Sequence, residues 1–192
     1  MNLYLKEPTI EEMQKIVEMC KEFEESNDEY KFEGISNFKN ITEENYNEFL
    51  QGLEKNKHID EINSNWANQT TYVLIDENGH IYGAGNIRHE LKGKLIEIGG
   101  HIGYAIRPSE RGKGFGTKQL ILLLEKTAKM GIEQALLTCR ENNIGSAKTI
   151  EKCFGVKDES VPSMFPGIME SRYWIDVRYV LNQMSESIPT IK

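Results

Sequence analysis

With 192 residues, 39% of them hydrophobic, and a formal net charge of −7, the chain has the length of one domain and the composition of a soluble globular protein. The acidic balance argues against a general nucleic-acid binder, which needs a Lys/Arg surplus, and the longest apolar run, Leu120 to Leu124, is far short of a membrane span. The opening MNLYLKEP lacks the layout of a secretion signal, and Cys20, Cys139 and Cys153 have no metal-type spacing, so we expect a cytoplasmic protein with free thiols and no metal, nucleic-acid or membrane partner.

The predicted elements alternate between strand and helix. Asn2 to Lys6 reads as a short strand. Thr9 and Glu12 form a capping box ahead of a helix whose apolar face is Ile10, Met13, Ile16, Val17, Cys20 and Phe23. Asn27 to Asn65 is polar and acidic, with a helix expected near Thr42 to Lys55 that carries Tyr46, Phe49, Leu50 and Leu53. TYVLIDENGHIYGAGNIRH is a β-hairpin turning at Asn78-Gly79. LIEIGGHIGYAIRP reads as one long strand interrupted by Gly99-Gly100, where a bulge would be natural. A helix from Lys113 to Met130 ends on Gly131, EQALLTC is a strand, and Gly145 to Cys153 is a helix. Two closing strands are expected near Val156 to Ser160 and Arg172 to Leu181. Residues 1–184 make one α/β domain in this reading, and residues 185–192 a frayed tail.

The junction Arg111-Gly112-Lys113-Gly114-Phe115-Gly116 carries the chemistry. No GxxxxGK[ST] string occurs, and Gly112, Gly114 and Gly116 read GxGxG, with Thr117 where a dinucleotide fingerprint needs its last glycine. The acidic residue about twenty positions on would be Glu133, which precedes a strand instead of ending one. What remains is a turn whose glycines leave backbone N–H groups open to an anion, at the positive end of a helix, with Arg107, Arg111, Lys113 and Lys118 close by. That is a diphosphate cradle without a metal motif.

R-x-x-G-x-G after Ile106-Arg107-Pro108, followed by ENNIGSAKTIEKCFG, resembles the GNAT superfamily of N-acetyltransferases. NIRHEL, GGHIGYAIRPSERGKGFG and SRYWI resemble more narrowly a bacterial group labelled predicted acetyltransferases. The resemblance spans Leu3 to Leu181. It implies a mixed α/β fold with a seven-stranded, mostly antiparallel sheet splayed between its fourth and fifth strands. It implies acetyl-CoA as cosubstrate, with the pantetheine arm along Tyr104 and Ile106, the diphosphate on Arg111, Gly112, Lys113, Gly114, Phe115, Gly116 and Thr117, and Asn143 and Ser146 on the distal arm. The implied reaction is direct transfer of acetyl to a primary amine of a small molecule or an amine-bearing residue, with a homodimer as a frequent assembly.

Two positions depart from the resembled pattern. Seven residues after the helix-opening asparagine, where the family carries a tyrosine as general acid, this chain has Ile150. Tyr173, Cys139 and Cys153 are the replacements to weigh, and solvent could also protonate a good leaving thiolate. Where relatives carry a carboxylate, this chain has Gly100, so the base falls to its neighbour His101 or to Glu97 through water, with His89 a further histidine near the cleft. Glu43, Glu44, Glu48, Glu54, Asp60 and Glu61 could draw a cationic amine. The missing groups keep a second reading open: a non-catalytic acyl-CoA-binding module of the same fold.

Overall fold

The computed structural model describes residues 1–59 and 67–186. Strand β1 (Leu3–Lys6) leads through a 3-10 turn into helix α1 (Met13–Glu25). The expected capping box is present, with the Thr9 hydroxyl accepting from the Glu11 N–H and the Glu12 carboxylate from the Thr9 N–H. A long irregular segment precedes α2 (Tyr46–Lys57). The hairpin β2 (Gln69–Asp76) and β3 (Ile81–Arg88) follows, then β4 (Ile102–Ile106), α3 (Phe115–Lys129), β5 (Gln134–Arg140) and α4 (Ile144–Lys152). The two-residue strands β6 (Val156–Lys157) and β7 (Val161–Pro162) lead to β8 (Met169–Asp176) and α5 (Val177–Glu186).

The class is the mixed α/β one predicted, but the strands are divided differently. One antiparallel sheet has the order β1-β2-β3-β4, and a second has β5-β8-β6 with β7 also on β8. Among the described residues there are thus eight short strands in two sheets, where one seven-stranded sheet was expected. Strands β2 and β3 are buried along nearly their whole length because both faces are covered. On β2 the side chains alternate: Tyr72 and Leu74 enter a core shared with α3, α4 and α5, while Val73 and Ile75 enter one shared with α1 and α2.

Three expected elements are corrected. The long strand from Leu95 is cut to β4, because Gly99 (φ +101°) and Gly100 (φ +60°) turn the backbone and the chain before them coils into a 3-10 turn at Gly93–Ile96. The closing strand stops at Asp176. Its carboxylate accepts from the Tyr179 N–H at 2.9 Å, starting α5, whose Val177 and Val180 are buried with Leu181 and Met184 packed beside them. The helix near Thr42 begins only at Tyr46. Helix α5 carries two residues of the supposed tail, and the rest of that tail lies outside the described residues.

Candidate active site

Antiparallel pairing fixes which way β4 turns its backbone. The Arg107 N–H donates to the Tyr82 carbonyl and the Arg88 N–H to the His101 carbonyl, both at 2.8 Å. Gly103, Ala105 and Arg107 therefore face β3, His101 gives β3 its carbonyl alone, and Ile102, Tyr104 and Ile106 turn their N–H and C=O groups towards β5, with which β4 forms no ladder. At their near ends the two strands are joined. The His101 N–H donates to the Leu136 carbonyl at 2.7 Å, and the His101 Nδ1 accepts from the Leu136 N–H at 3.0 Å. The result is a V, shut at His101 and open at Ile106.

The open end holds a cleft of about 540 Å³. Nine of the eleven residues expected to bind cofactor line it: Tyr104, Ile106, Arg111, Gly112, Gly114, Gly116, Thr117, Asn143 and Ser146. Lys113 instead pairs with Glu110 at 3.0 Å, and the Phe115 ring packs on Tyr82 with centroids 4.5 Å apart. Gly112 and Gly114 are left-handed (φ +74° and +88°), and no atom lies within 4 Å of where their Cβ atoms would be. Gly114 is the N-cap of α3 and makes no side-chain cap, which leaves the first N–H groups of that 15-residue helix for an anion. This geometry fits a diphosphate. Asn143 has a local duty, since its Oδ1 accepts from the Ser146 N–H at 3.1 Å and starts α4. Lys148 and Lys152 of α4 also line the cleft and have no ion-pair partner among the described residues.

The three proposed catalytic side chains are not brought together. His101 is buried in the clasp of the V, where burial and the nearby Arg88 guanidinium lower its pKa to about 4. Glu97 is exposed on the turn before β4, at the shut end. Tyr173 is buried in the core, its hydroxyl 3.5 Å from Glu151 Oε1. None of the three lines the cleft. A Cβ at Gly100 would stand 2.2 Å from the Leu136 carbonyl oxygen, so this backbone has no room for a carboxylate there. Cys139 and Cys153 are buried thiols, pushed up by desolvation to about 11 and about 12. His89 faces Thr70, with Nε2 2.9 Å from its hydroxyl, and does not line the cleft.

Sequence reasoning missed the far wall of the cleft. Gly34 packs so closely on β4 that a Cβ there would be 2.6 Å from the Tyr104 nitrogen, and Asn86 Nδ2 donates to the Gly34 carbonyl at 2.7 Å. This contact lays the segment from Asp28 to Glu33 across the mouth of the V. Asp28 pairs with Arg111 at 2.8 Å, Glu29 accepts from Asn142 at 3.0 Å, and Glu33 pairs with Arg140. Arg140 sits 4.2 Å over the Phe165 ring. Desolvation raises the Glu33 carboxyl above the usual range, with the Glu170 and Asp28 charges adding to it against the opposing pull of Arg140. Asp28, Tyr30 and Glu33 line the cleft, whereas Glu48 lines a separate hollow of about 260 Å³ beside α2 and Glu54 pairs with Lys57. Glu43 and Glu44 are exposed, and Asp60 and Glu61 lie outside the described residues. No motif marks the wall; its one local signal is a lone glycine in an acidic stretch.

No helix among the described residues is long and apolar enough to cross a membrane. The fold is shared with solved N-acetyltransferase structures. The spermidine/spermine N-acetyltransferase SpeG from Vibrio cholerae, in complex with manganese ions, superposes with a TM-score of 0.61 at 17% identity over 94% of this chain and 96% of that one. Mutant forms of the same enzyme give 0.61 at 15% identity, over 95% and 99%. A protein assigned provisionally as a phosphinothricin N-acetyltransferase gives 0.58 at 17% identity, over 91% and 98%. No curated protein matches the chain. The family model for acetyltransferases (GNAT) matches residues 35–156, a span that holds β4, the glycine turn and the capped start of α4. With the splayed strands and the open anion cradle in place, the chain belongs to the acetyltransferase (GNAT) family.

Proposed function

We propose that the protein transfers the acetyl group of acetyl-CoA directly to the primary amine of a cationic small molecule or an amine-bearing residue. The observation that carries this reading is the cleft itself. An anion cradle at the start of α3 is continuous with a β4 edge that has no strand partner among the described residues, and a carboxylate-bearing wall faces both. The diphosphate would rest on the N–H groups of Gly112 to Thr117 and on Arg111. The Tyr104 and Ile106 edge would pair with the pantetheine amides and offer an N–H to the thioester carbonyl as negative charge develops on it.

Asp28 and Glu33 put carboxylates on the acceptor side, each paired with an arginine, so an ammonium group would share them with Arg111 and Arg140. Glu33, half-buried, with a carboxyl that desolvation lifts, is suited to take the ammonium proton directly or through water. His101 has other work in this reading: it holds the two sheets together. The structural relatives named for spermidine and for phosphinothricin differ in acceptor charge, so the acidic wall, not the fold, supports a cationic acceptor.

The test is release of free CoA thiol from acetyl-CoA across a panel of diamines, polyamines, amino acids and peptides. Acceptor-dependent release, greatest with cationic amines, is expected. Tight acetyl-CoA binding without acceptor-dependent release would favour the non-catalytic module.

A further inference from the structure

The departing thiolate has no proton donor where the resembled family keeps one. Ile150 is fully buried, and it packs so tightly on the chain after α4 that a Cβ at Gly155 would lie 2.4 Å from its Cγ2. A tyrosine in its place would need room the core does not have. The same turn of α4 is reached from the opposite direction. Tyr104 projects from β4 across the open V, lines the cleft, and holds its hydroxyl 3.4 Å from Ser146 Oγ, with the Thr149 hydroxyl also in contact. Ser146 and Thr149 stand four and one residues before Ile150, so the phenol arrives beside the turn where the family tyrosine would have stood.

We propose that Tyr104 donates the proton to the departing thiolate, a catalytic role moved from helix α4 to strand β4; this rests on the acetyl-transfer reading above. The amine nitrogen forms the new C–N bond as the C–S bond breaks and its electron pair passes to sulfur. Sulfur takes the Tyr104 hydroxyl proton. The amine gives up two protons in all, one to the acceptor-side base and solvent before attack, and one on amide formation that balances reprotonation of the phenolate. That reprotonation can run through the Ser146 hydroxyl, half-buried in the first turn of α4. Burial raises the phenol's pKa, so it is fully protonated at neutral pH and gives up its proton only to a thiolate made more basic by desolvation in the same cleft. Two of the rival side chains are turned elsewhere, and the third, Cys139, is a buried thiol whose pKa desolvation raises. The Tyr173 hydroxyl faces Glu151 outside the cleft, and the Cys153 thiol faces the Thr117 carbonyl at 4.0 Å.

The experiment compares the full-length chain with its Tyr104→Phe variant, which keeps the ring and its packing. With acetyl-CoA and the best amine, kcat should fall about 100-fold or more, within the range a positioned acid supplies, while the calorimetric Kd for CoA stays within about threefold. A readout that packing would not move is the leaving group. With 4-nitrophenyl thioacetate as donor, whose thiolate needs no proton, the variant should lose no more than about threefold. A kcat within about threefold of the unaltered chain overturns the proposal, and so does an equal loss with both donors or a loss matched by weaker CoA binding. If the unaltered chain shows no acceptor-dependent CoA release, the acetyl-transfer reading fails first, and that outcome is distinct from a defect confined to the variant.

Discussion

Arg111, the first residue of the glycine turn, is engaged before any anion arrives. Its Nη2 lies 2.8 Å from Asp28 Oδ2 and its Nε donates to the Ile106 carbonyl at 3.0 Å. A diphosphate on the turn must compete with Asp28 for the guanidinium. The Arg111 side chain is 38% exposed and that of Asp28 14%, which places the pair near the surface class, worth about 0.5–1 kcal/mol after solvent screening. At 1.4 kcal/mol per tenfold, removing the competition should tighten CoA binding about two- to fivefold. Asp28→Asn is the appropriate change, because the amide oxygen can still accept the Tyr30 N–H, a bond of 3.0 Å that shapes the segment. Isothermal titration of CoA into both proteins at low salt measures the gain, and about 0.5 M salt should erase most of it. Arg111→Ala should weaken binding. In that background Asp28→Asn should add nothing, since its effect passes through the guanidinium. Unchanged or weaker CoA binding by Asp28→Asn, or a gain that persists without Arg111, would refute the reasoning.

Other outcomes follow from the glycines and the clasp. Gly100→Ala puts a Cβ 2.2 Å from the Leu136 carbonyl at φ +60°, so urea unfolding should show a loss of about 3 kcal/mol or more, and a loss below about 1 kcal/mol would contradict the contact. Gly114→Val at φ +88° should cost about 1–2 kcal/mol of stability and weaken CoA binding about tenfold or more, because the β-branched residue distorts the start of α3. The His101 pKa, about 4 in the fold against an ordinary 6.5, makes its neutral form the native one. Its contribution is therefore complete above pH 6.5 and is lost as pH falls towards 4. Urea midpoints at pH 7.5 and pH 5 should show a drop that is roughly 2 kcal/mol smaller in His101→Asn than in the unaltered chain, and equal drops would count against the clasp.

What could be read from the sequence was chemistry that works within a few residues. The Thr9–Glu12 box, the Asn78-Gly79 turn and the spaced glycines before α3 need no distant partner, and each appears where expected. Gly99-Gly100 shows where that reach ends. A local reading offers a bulge within one strand, but the pair is a corner set by the pressure of Leu136 from another sheet. Asp176 ends the closing strand early because its carboxylate caps α5, a local signal that the reading of one strand from Arg172 to Leu181 passed over. The far wall was illegible for a stronger reason. Asp28, Glu33 and Arg140 mean little alone and acquire a role only when Gly34 settles on β4, more than sixty positions away in the chain. Ile150 announced that something was missing, while Tyr104, on strand β4, carried no local sign of the role proposed for it.

The two cores on opposite faces of β2 and β3 have a consequence for how such a protein can change over time. The cofactor-side elements α3 and α4 draw their apolar support from one core, and α1 and α2 draw theirs from the other. The main points of exchange between the two halves are Gly34 on β4 and the ion pairs that Glu22, Asp28 and Glu33 make with Arg107, Arg111 and Arg140. Mutational drift in the segment from Asp28 to Glu33, which α1 and α2 support, can therefore reshape what is admitted while the donor-binding half keeps its own packing. Inherited constraint and acquired preference are held in separate compartments of one chain, with a single glycine and three arginines as the treaty between them.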